Sequence, residues 1–223
     1  MPESRAADHP EAETTLLETR HGPARLIHAL AADAWVTLVL GHGAGGGVGA
    51  RDLVWLARDL PVNGIDVIRV EQPWRVAGRK VAARAAVLDE SWADVLKQVP
   101  ARGQLVVGGR SSGARVACRT ATSVGALACL ALAFPLHPPW RPEKSRFAEL
   151  QASGVPTLVV QGDRDPFGAR RDFPPLPDSI QIVSIDADHE FAVLKESGRS
   201  DALTRADLVD CVLSWLRESV SPS

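Results

Sequence analysis

The feature that most constrains the fold is a repeated alternation of apolar segments of strand length with amphipathic segments of helical length. The apolar segments of this pattern lie at residues 65–70, 104–108, 126–134, 156–161 and 180–185. They are apolar on both faces, which suits strands whose sheet is covered by helices on both sides. The alternation therefore predicts an α/β fold with a mostly parallel central sheet and helices on both faces.

Helices are predicted in the segments between these strands, at 51–60, 80–98, 113–122, 143–152 and 205–217. In the last of them, Leu208, Val212 and Trp215 recur at helical spacing on one face, so this helix is expected to close the domain. Two earlier apolar runs, 24–30 and 35–40, are separated by only four residues, and we predict that they pair as an antiparallel hairpin.

Length and charge limit the classes of protein to which the chain can belong. With 223 residues, 45% of them hydrophobic, the chain suits one domain with a sizeable core, predicted over 15–220 after a disordered tail at 1–14. The formal net charge is -2 and contains no basic cluster, which argues against nucleic-acid and membrane partners. We therefore expect a small-molecule substrate, whereas the choice between monomer and dimer stays open.

Three cysteines and the polar N-terminal segment bear on the compartment. Cys118, Cys129 and Cys211 are odd in number, lie in apolar surroundings and show no C-x-x-C spacing, so we expect reduced core thiols and no metal site. The first residues lack the apolar core of a secretory signal, and no apolar run is long enough to span a membrane. These observations predict a cytoplasmic location.

A serine elbow is predicted where the strand at 104–108 meets the helix at 113–122. Residues 109–113 read G-x-S-x-G, a pattern in which a sharp strand-to-helix turn exposes the serine hydroxyl. The glycines two residues before and after Ser111 let neighbouring backbone pass closely enough for the turn. Ser111 is therefore the candidate nucleophile, and the backbone N–H of Ser112 faces the position of a reacting carbonyl.

The glycine-rich loop at 41–47 supports two interpretations. Its exposed N–H groups follow a strand, and that of Ala44 can pair with that of Ser112 as an oxyanion hole. The same residues contain G-x-G-x-x-G, the dinucleotide fingerprint, for which Glu71 could bind a ribose. The chain has no Gly-Lys-Ser or Gly-Lys-Thr after these glycines, which excludes a P-loop.

Candidate acid and base residues follow the last two predicted strands. Asp163 and Asp165 come after the strand at 156–161, and His189 comes after the strand at 180–185. Because parallel strands share one carboxyl edge, these residues should converge on Ser111. A histidine can then take the serine proton while a carboxylate fixes the imidazole tautomer. Asp165 is the preferred acid, and Asp163 stays open as its rival.

Two residues are candidate substrate contacts. Arg110, beside the serine, would favour an acidic substrate unless a nearby carboxylate already pairs with it. Trp140 is a candidate pocket wall unless it lies in the core. It belongs to a segment, 135–142, that holds four prolines and is predicted to be an irregular loop, too short for a helical lid.

Four regions resemble the small α/β-hydrolases related to dienelactone hydrolase and to the testis-expressed and NSL-complex subunit 3 homologues. They are LVLGHGAGGG at 38–47, VVGGRSSGARVA at 106–117, FPLHPPWRPEKSRFAEL at 134–150 with TLVVQGDRDPFG at 157–168, and DADHEFAV at 186–193. The resemblance implies an α/β-hydrolase fold, a triad at Ser111, Asp165 and His189, and no cofactor. Trp140 departs from it, because a small residue is common there in bacterial relatives.

These observations together predict a serine hydrolase, most similar to a carboxylesterase, that cleaves a small soluble ester or related acyl compound through an acyl-enzyme. Neither a metal nor a cofactor is required by this chemistry. Two alternatives remain: a catalytically silent binding or scaffold protein that retains the fold, and a protein that binds a dinucleotide through Gly41–Gly47.

Overall fold

The computed structural model describes residues 13–220, and within them the chain forms a mixed sheet of eight strands. The strands are β1 (Thr14–Thr19), β2 (Gly22–Ala29), β3 (Val36–Gly41), β4 (Ile65–Glu71), β5 (Gln104–Arg110), β6 (Ala128–Leu132), β7 (Thr157–Gly162) and β8 (Ile180–Ile185). Their spatial order is β1-β2-β4-β3-β5-β6-β7-β8. Only the pairs β1–β2 and β2–β4 are antiparallel, and the other five pairs are parallel, so the mostly parallel sheet is confirmed.

Helices cover both faces of this sheet. They are α1 (Arg51–Asp59), α2 (Pro73–Val76), α3 (Ala85–Leu96), α4 (Ser112–Thr120), α5 (Phe147–Gln151) and α6 (Asp201–Ser219). Helices α1 and α6 pack on one face around Leu53 and Leu208, whereas the helices from α2 to α5 contribute to the core of the other face, around Trp92 and Leu150. β3, β5, β6 and β7 lie between the two cores, which explains their apolar residues on both faces.

The predicted hairpin between 24–30 and 35–40 is wrong. β2 pairs with β4, and β3 lies on the far side of β4, where it runs parallel to both β4 and β5. The connecting residues contain no tight-turn pair such as Asn-Gly, and the N–H of Ala31 donates instead to the buried carboxylate of Asp66 on β4, at 2.8 Å. The connection therefore crosses the start of β4.

The structure adds an N-terminal strand that the sequence pattern does not predict. β1 begins at Thr14 and forms a hairpin with β2 through Arg20 and His21. Of the predicted tail, residues 1–12 lie outside the described residues. β1 is an edge strand with alternating exposure, so it carries little apolar signal.

Other predicted elements are present with shifted ends. The helix expected at 80–98 begins only at Ala85, and the helix expected at 205–217 extends over Asp201–Ser219 because Ser200 caps it, accepting a bond from the N–H of Leu203 at 3.2 Å. β8 is an edge strand whose middle residues are only partly buried. Residues 133–146, including the proline-rich segment, form an irregular loop, so no helical lid follows β6.

The cysteines are thiols placed largely as predicted. Cys118 and Cys129 are buried with their sulfur atoms 3.8 Å apart, and Cys211 is half-buried on α6. Burial raises the pKa of the Cys211 thiol to about 11. Cys211 is therefore a poor nucleophile, and Cys118 and Cys129 serve as small apolar side chains of the core.

Candidate active site

Ser111 occupies a strained turn between β5 and α4. Its backbone has φ 51° and ψ −113°, a conformation that non-glycine residues rarely adopt. The turn is held by a hydrogen bond from its N–H to the carbonyl of Leu132, 2.9 Å long. A Cβ at Gly109 or Gly113 would lie 2.5 or 2.3 Å from the carbonyl oxygen of Gly41, so only glycine fits there. The turn thus follows from the close packing of α4 against β3 and β5.

The three predicted catalytic side chains form one hydrogen-bonded chain. His189 Nε2 lies 3.1 Å from Ser111 Oγ, and its Nδ1 lies 2.8 Å from Asp165 Oδ2. Ser111, Asp165 and His189 lie just beyond β5, β7 and β8, whose carboxyl ends share one edge of the sheet. The arrangement can move a proton from the hydroxyl to the imidazole and stabilise the resulting imidazolium.

Asp165 is fixed by neighbours that the sequence analysis did not identify. Its side chain is fully buried, and its two oxygens accept from the side-chain nitrogen of Gln161 and the N–H of Phe167, both at 2.8 Å. The Phe167 ring also packs on His189, with the ring centroids 4.4 Å apart. Asp163, the rival acid, is exposed and does not contact the imidazole.

The loop that carries His189 is held on both sides. Asp188 accepts the N–H groups of Glu190 and Ala192 at 2.8 and 2.9 Å, which closes the loop on itself. The guanidinium of Arg110 donates to the backbone carbonyl of His189 at 2.6 Å. His189 therefore projects from a backbone that is bonded at the residue itself and at its neighbour.

The glycine-rich loop is organised by His42. Its Nε2 accepts the N–H of Gln72 at 3.1 Å, so the ring proton is on Nδ1, which donates to the carbonyl of Gly43 at 2.8 Å. Burial lowers the pKa of His42, and the backbone bond to Gly43 opposes that shift only in part. In a trans peptide the carbonyl of Gly43 and the N–H of Ala44 point in opposite directions, so this bond turns the Ala44 N–H away from His42.

Ala44 and Ser112 line one cavity of about 510 Å³ together with Ser111 and His189. The first intrahelical bond of α4 runs from the N–H of Arg115 to the carbonyl of Ser111, so the N–H of Ser112 has no partner within the helix. The two residues whose amides are predicted to form an oxyanion hole therefore border the same cavity as Ser111.

Both predicted substrate contacts need correction. Arg110 borders the cavity but its side chain is only 7% exposed, because it pairs with the fully buried Asp52 at 3.1 Å and also bonds to His189. Arg110 therefore supports the loop that carries His189 and is largely buried beneath the cavity. Trp140 is 92% exposed and does not border the cavity, because the irregular proline-rich loop turns it towards solvent.

The dinucleotide interpretation does not fit the structure. Its third glycine should let a helix pack closely, yet a Cβ at Gly46 would meet nothing within 4 Å. Glu71, the candidate ribose ligand, forms an ion pair with Arg25 at 3.0 Å. The hydrogen bonds of His42 instead fix the backbone of this loop beside the serine elbow.

Among residues 13–220, no three His, Cys, Asp or Glu side chains are grouped so as to hold a metal ion. None of the helices in this part of the chain is long and apolar enough to cross a membrane.

Comparison with known proteins identifies the family. A model of the family described as "Alpha/beta hydrolase domain" matches residues 34–217, which include the serine elbow and the loops of Asp165 and His189. The chain belongs to the α/β hydrolase family. The predicted membership and fold class are thereby confirmed.

Solved structures share the α/β hydrolase fold over nearly the whole chain. A serine hydrolase without a lid from Xanthomonas campestris is 20% identical, with a TM-score of 0.75 over 96% of this chain and 98% of that one. A serine hydrolase homologue from Coxiella burnetii is 19% identical, with a TM-score of 0.69 over 90% and 97%. Est1E from Butyrivibrio proteoclasticus with bound ferulic acid is 12% identical, with a TM-score of 0.67 over 91% and 99%. A search of curated proteins found no match.

Proposed function

We propose that this α/β hydrolase is a serine hydrolase that cleaves a small ester or related acyl compound. The observation that carries the proposal is the hydrogen-bonded chain from Ser111 Oγ through His189 to Asp165, on the wall of an open cavity. A buried carboxylate and an oriented imidazole are what a serine hydroxyl needs to become a nucleophile at neutral pH. Asp165, not Asp163, is the acid in this proposal.

The reaction runs in two acyl-transfer steps. His189 Nε2 takes the proton of Ser111 as its oxygen bonds to the carbonyl carbon, and the carbonyl oxygen becomes an anion. The N–H groups of Ala44 and Ser112 stabilise that anion; such donors contribute about 3 to 4 kcal/mol each to the transition state. His189 then protonates the leaving alcohol. Water, deprotonated by His189, attacks the acyl-serine and releases the acid.

The cavity supports a substrate that reaches the serine directly from solvent. No helical lid follows β6 in the described part of the chain, and the cavity is bordered by short loops and the first turns of α3 and α4. Among the structural neighbours, the Xanthomonas protein is itself described as lacking a lid, and Est1E was solved with ferulic acid bound. We therefore propose small water-soluble acyl compounds rather than lipid droplets.

Labelling with a fluorophosphonate probe followed by intact-mass spectrometry tests the proposal. We expect one adduct on Ser111 in the wild-type protein, none in Ser111→Ala, and labelling slowed by at least about a thousandfold in His189→Ala. Asp165→Asn should slow labelling strongly, whereas the matched change Asp163→Asn should leave the rate near that of the wild type. Absence of any adduct on the folded wild-type protein would reject the serine hydrolase and favour a catalytically silent scaffold.

A further inference from the structure

One wall of the cavity that contains Ser111 is basic. Arg115 and Arg119 project from successive turns of α4, and Arg146 lies just before α5; all three border the cavity. An α-helix rises about 6 Å over four residues, so Arg115 lies about that far along α4 from Ser111. A positively charged wall therefore begins about one helical turn from the candidate nucleophile.

The carboxylates beside these arginines leave part of the charge unpaired. Each of the three guanidinium nitrogens of Arg119 donates to a carboxylate oxygen of Asp89 or Glu149. Arg115 bonds to Glu149 through Nε and Nη2 at 2.9 and 2.7 Å, which leaves Nη1 without a carboxylate. The two carboxylates therefore neutralise two guanidinium groups and do not reach the third, that of Arg146.

Arg146 has more hydrogen-bond donors than acceptors near it. Among residues 13–220 its guanidinium has one hydrogen-bond acceptor, the carbonyl of Pro135 at 3.2 Å, and no carboxylate within 4.0 Å. Burial lowers the pKa of Arg146, and the positive charge of Arg115 lowers it further, whereas Glu149 opposes the shift. Two neighbouring guanidinium groups that repel each other are stabilised when an anion binds between them.

We propose that Arg146 and Arg115 form a binding subsite for a carboxylate of the substrate. The substrate is then an ester or related acyl compound whose acyl part carries a second, free carboxylate, and this inference rests on the proposed serine hydrolase activity. One unpaired cationic group matches a carboxylate monoanion better than a phosphate dianion. The planar guanidinium also presents paired N–H donors that fit a carboxylate.

The other residues that line the cavity bear on how such a substrate lies. Glu190, exposed beside His189, is the carboxylate that borders the cavity, and it would repel an anion that came near it. Ala82, Ala83 and Leu88 supply an apolar surface. The acyl chain can therefore lie against these apolar side chains while its free carboxylate reaches the arginines and its ester carbonyl reaches Ser111.

The test compares two esters with acyl chains of equal length, 4-nitrophenyl hydrogen adipate and 4-nitrophenyl hexanoate. We expect the wild-type protein to hydrolyse the adipate ester with a kcat/KM at least about tenfold higher, through a lower KM, and added salt to reduce this preference. Arg146→Gln should remove most of the preference without changing kcat/KM for the hexanoate ester. Arg146→Lys should restore part of it.

Arg141→Gln is the matched control, because Arg141 is an exposed arginine of the same loop that does not border the cavity. It should retain the full preference for the adipate ester. Equal hydrolysis of both esters by the wild type, or an Arg146→Gln variant impaired equally on both, would overturn the carboxylate subsite and leave the serine hydrolase standing.

Two further outcomes separate the subsite from the activity. If the wild-type protein neither hydrolyses an ester nor forms the fluorophosphonate adduct on Ser111, the activity on which the subsite rests is overturned. If the wild-type protein is labelled but hydrolyses neither ester, free adipate and free hexanoate are compared as competitors of the labelling of Ser111. Slower labelling with adipate than with hexanoate, lost in Arg146→Gln, supports the subsite, and equal labelling overturns it.

Discussion

Single residues outside the proposed triad determine how Ser111 and His189 meet. Arg110 is the clearest case, because it is the last residue of β5, directly before Ser111, pairs with the buried Asp52 of α1 and bonds to the carbonyl of His189. One guanidinium thus links the serine elbow, α1 and the histidine loop. Burial raises the pKa of Asp52, and the charge of Arg110 opposes that shift. We regard Arg110 as a positioning residue.

Two variants at this pair distinguish positioning from simple stabilisation. Arg110→Met leaves the Asp52 carboxylate buried without a partner, so we expect unfolding free energy to fall by about 3–5 kcal/mol and kcat to fall with it. The double variant Arg110→Met, Asp52→Leu removes both charges and should recover most of the stability. Its kcat should stay about a hundredfold below the wild-type value, because His189 has lost its anchor. Urea unfolding and ester hydrolysis measure the two effects; a double variant with restored kcat would contradict the role.

His42 gives the protein a predictable dependence of stability on pH. Its pKa in the folded state lies below the unfolded value, so the unfolded chain binds the proton more readily. The stability that depends on neutral His42 is therefore complete above about pH 6.5 and is lost as pH falls below it, by at most about 1.4 kcal/mol per pH unit. The advantage in unfolding free energy of wild type over His42→Gln should shrink between about pH 7 and about pH 5. A difference that stays constant in urea unfolding across that range would contradict the assignment.

At the scale of elements, the site depends on how closely α4 approaches β3 and β5. Gly41, Gly109 and Gly113 bring three backbones into contact, with no space for a side chain at the two elbow glycines. The two glycines Gly45 and Gly46 of the loop before α1 are not crowded in this way. The glycines of the serine elbow and those of the loop before α1 therefore have different structural roles.

A pair of alanine substitutions tests this distinction. Gly113→Ala places a Cβ 2.3 Å from the carbonyl oxygen of Gly41, and we expect a loss of about 1–3 kcal/mol of unfolding free energy or more, with reduced labelling of Ser111. Gly46→Ala meets nothing within 4 Å and should leave unfolding free energy within about 0.5 kcal/mol of the wild type. Thermal unfolding compares the two; equal effects would show that close packing does not explain the elbow glycine.

The elements that could be predicted from sequence are those with a local physical cause. Buried parallel strands carry continuous apolar runs, and Ser111 is marked by glycines two residues before and after it, so both are visible in the sequence. The position of β2 beside β4 depends on pairing with residues that are distant in sequence, and the bond from Ala31 to Asp66 follows that pairing. The sequence does not mark Arg146 as a candidate site residue for the same reason. Its unpaired charge becomes apparent only when the loop before α5 lies beside α4.

At the scale of the whole molecule, one sheet connects two separate cores. The core around α1 and α6 and the core around α2 to α5 lie on opposite faces and meet only through the strands. The carboxyl edge of those same strands carries Ser111, Asp165 and His189. The geometry of these proposed catalytic groups therefore depends on both faces, although each face has its own helices and apolar side chains.

This arrangement predicts that the chain unfolds as one cooperative unit. Leu208 of α6 and Leu150 of α5 are fully buried on opposite faces, so replacing either with alanine should remove about 2–5 kcal/mol of unfolding free energy. In each variant, urea transitions followed by tryptophan fluorescence and by far-ultraviolet circular dichroism should coincide and shift together, because a strand that loses one face cannot stay in the sheet on the other. If Leu208→Ala separated the two transitions while Leu150→Ala did not, the α1–α6 face would unfold independently. The single domain predicted over 15–220 would then have to be divided.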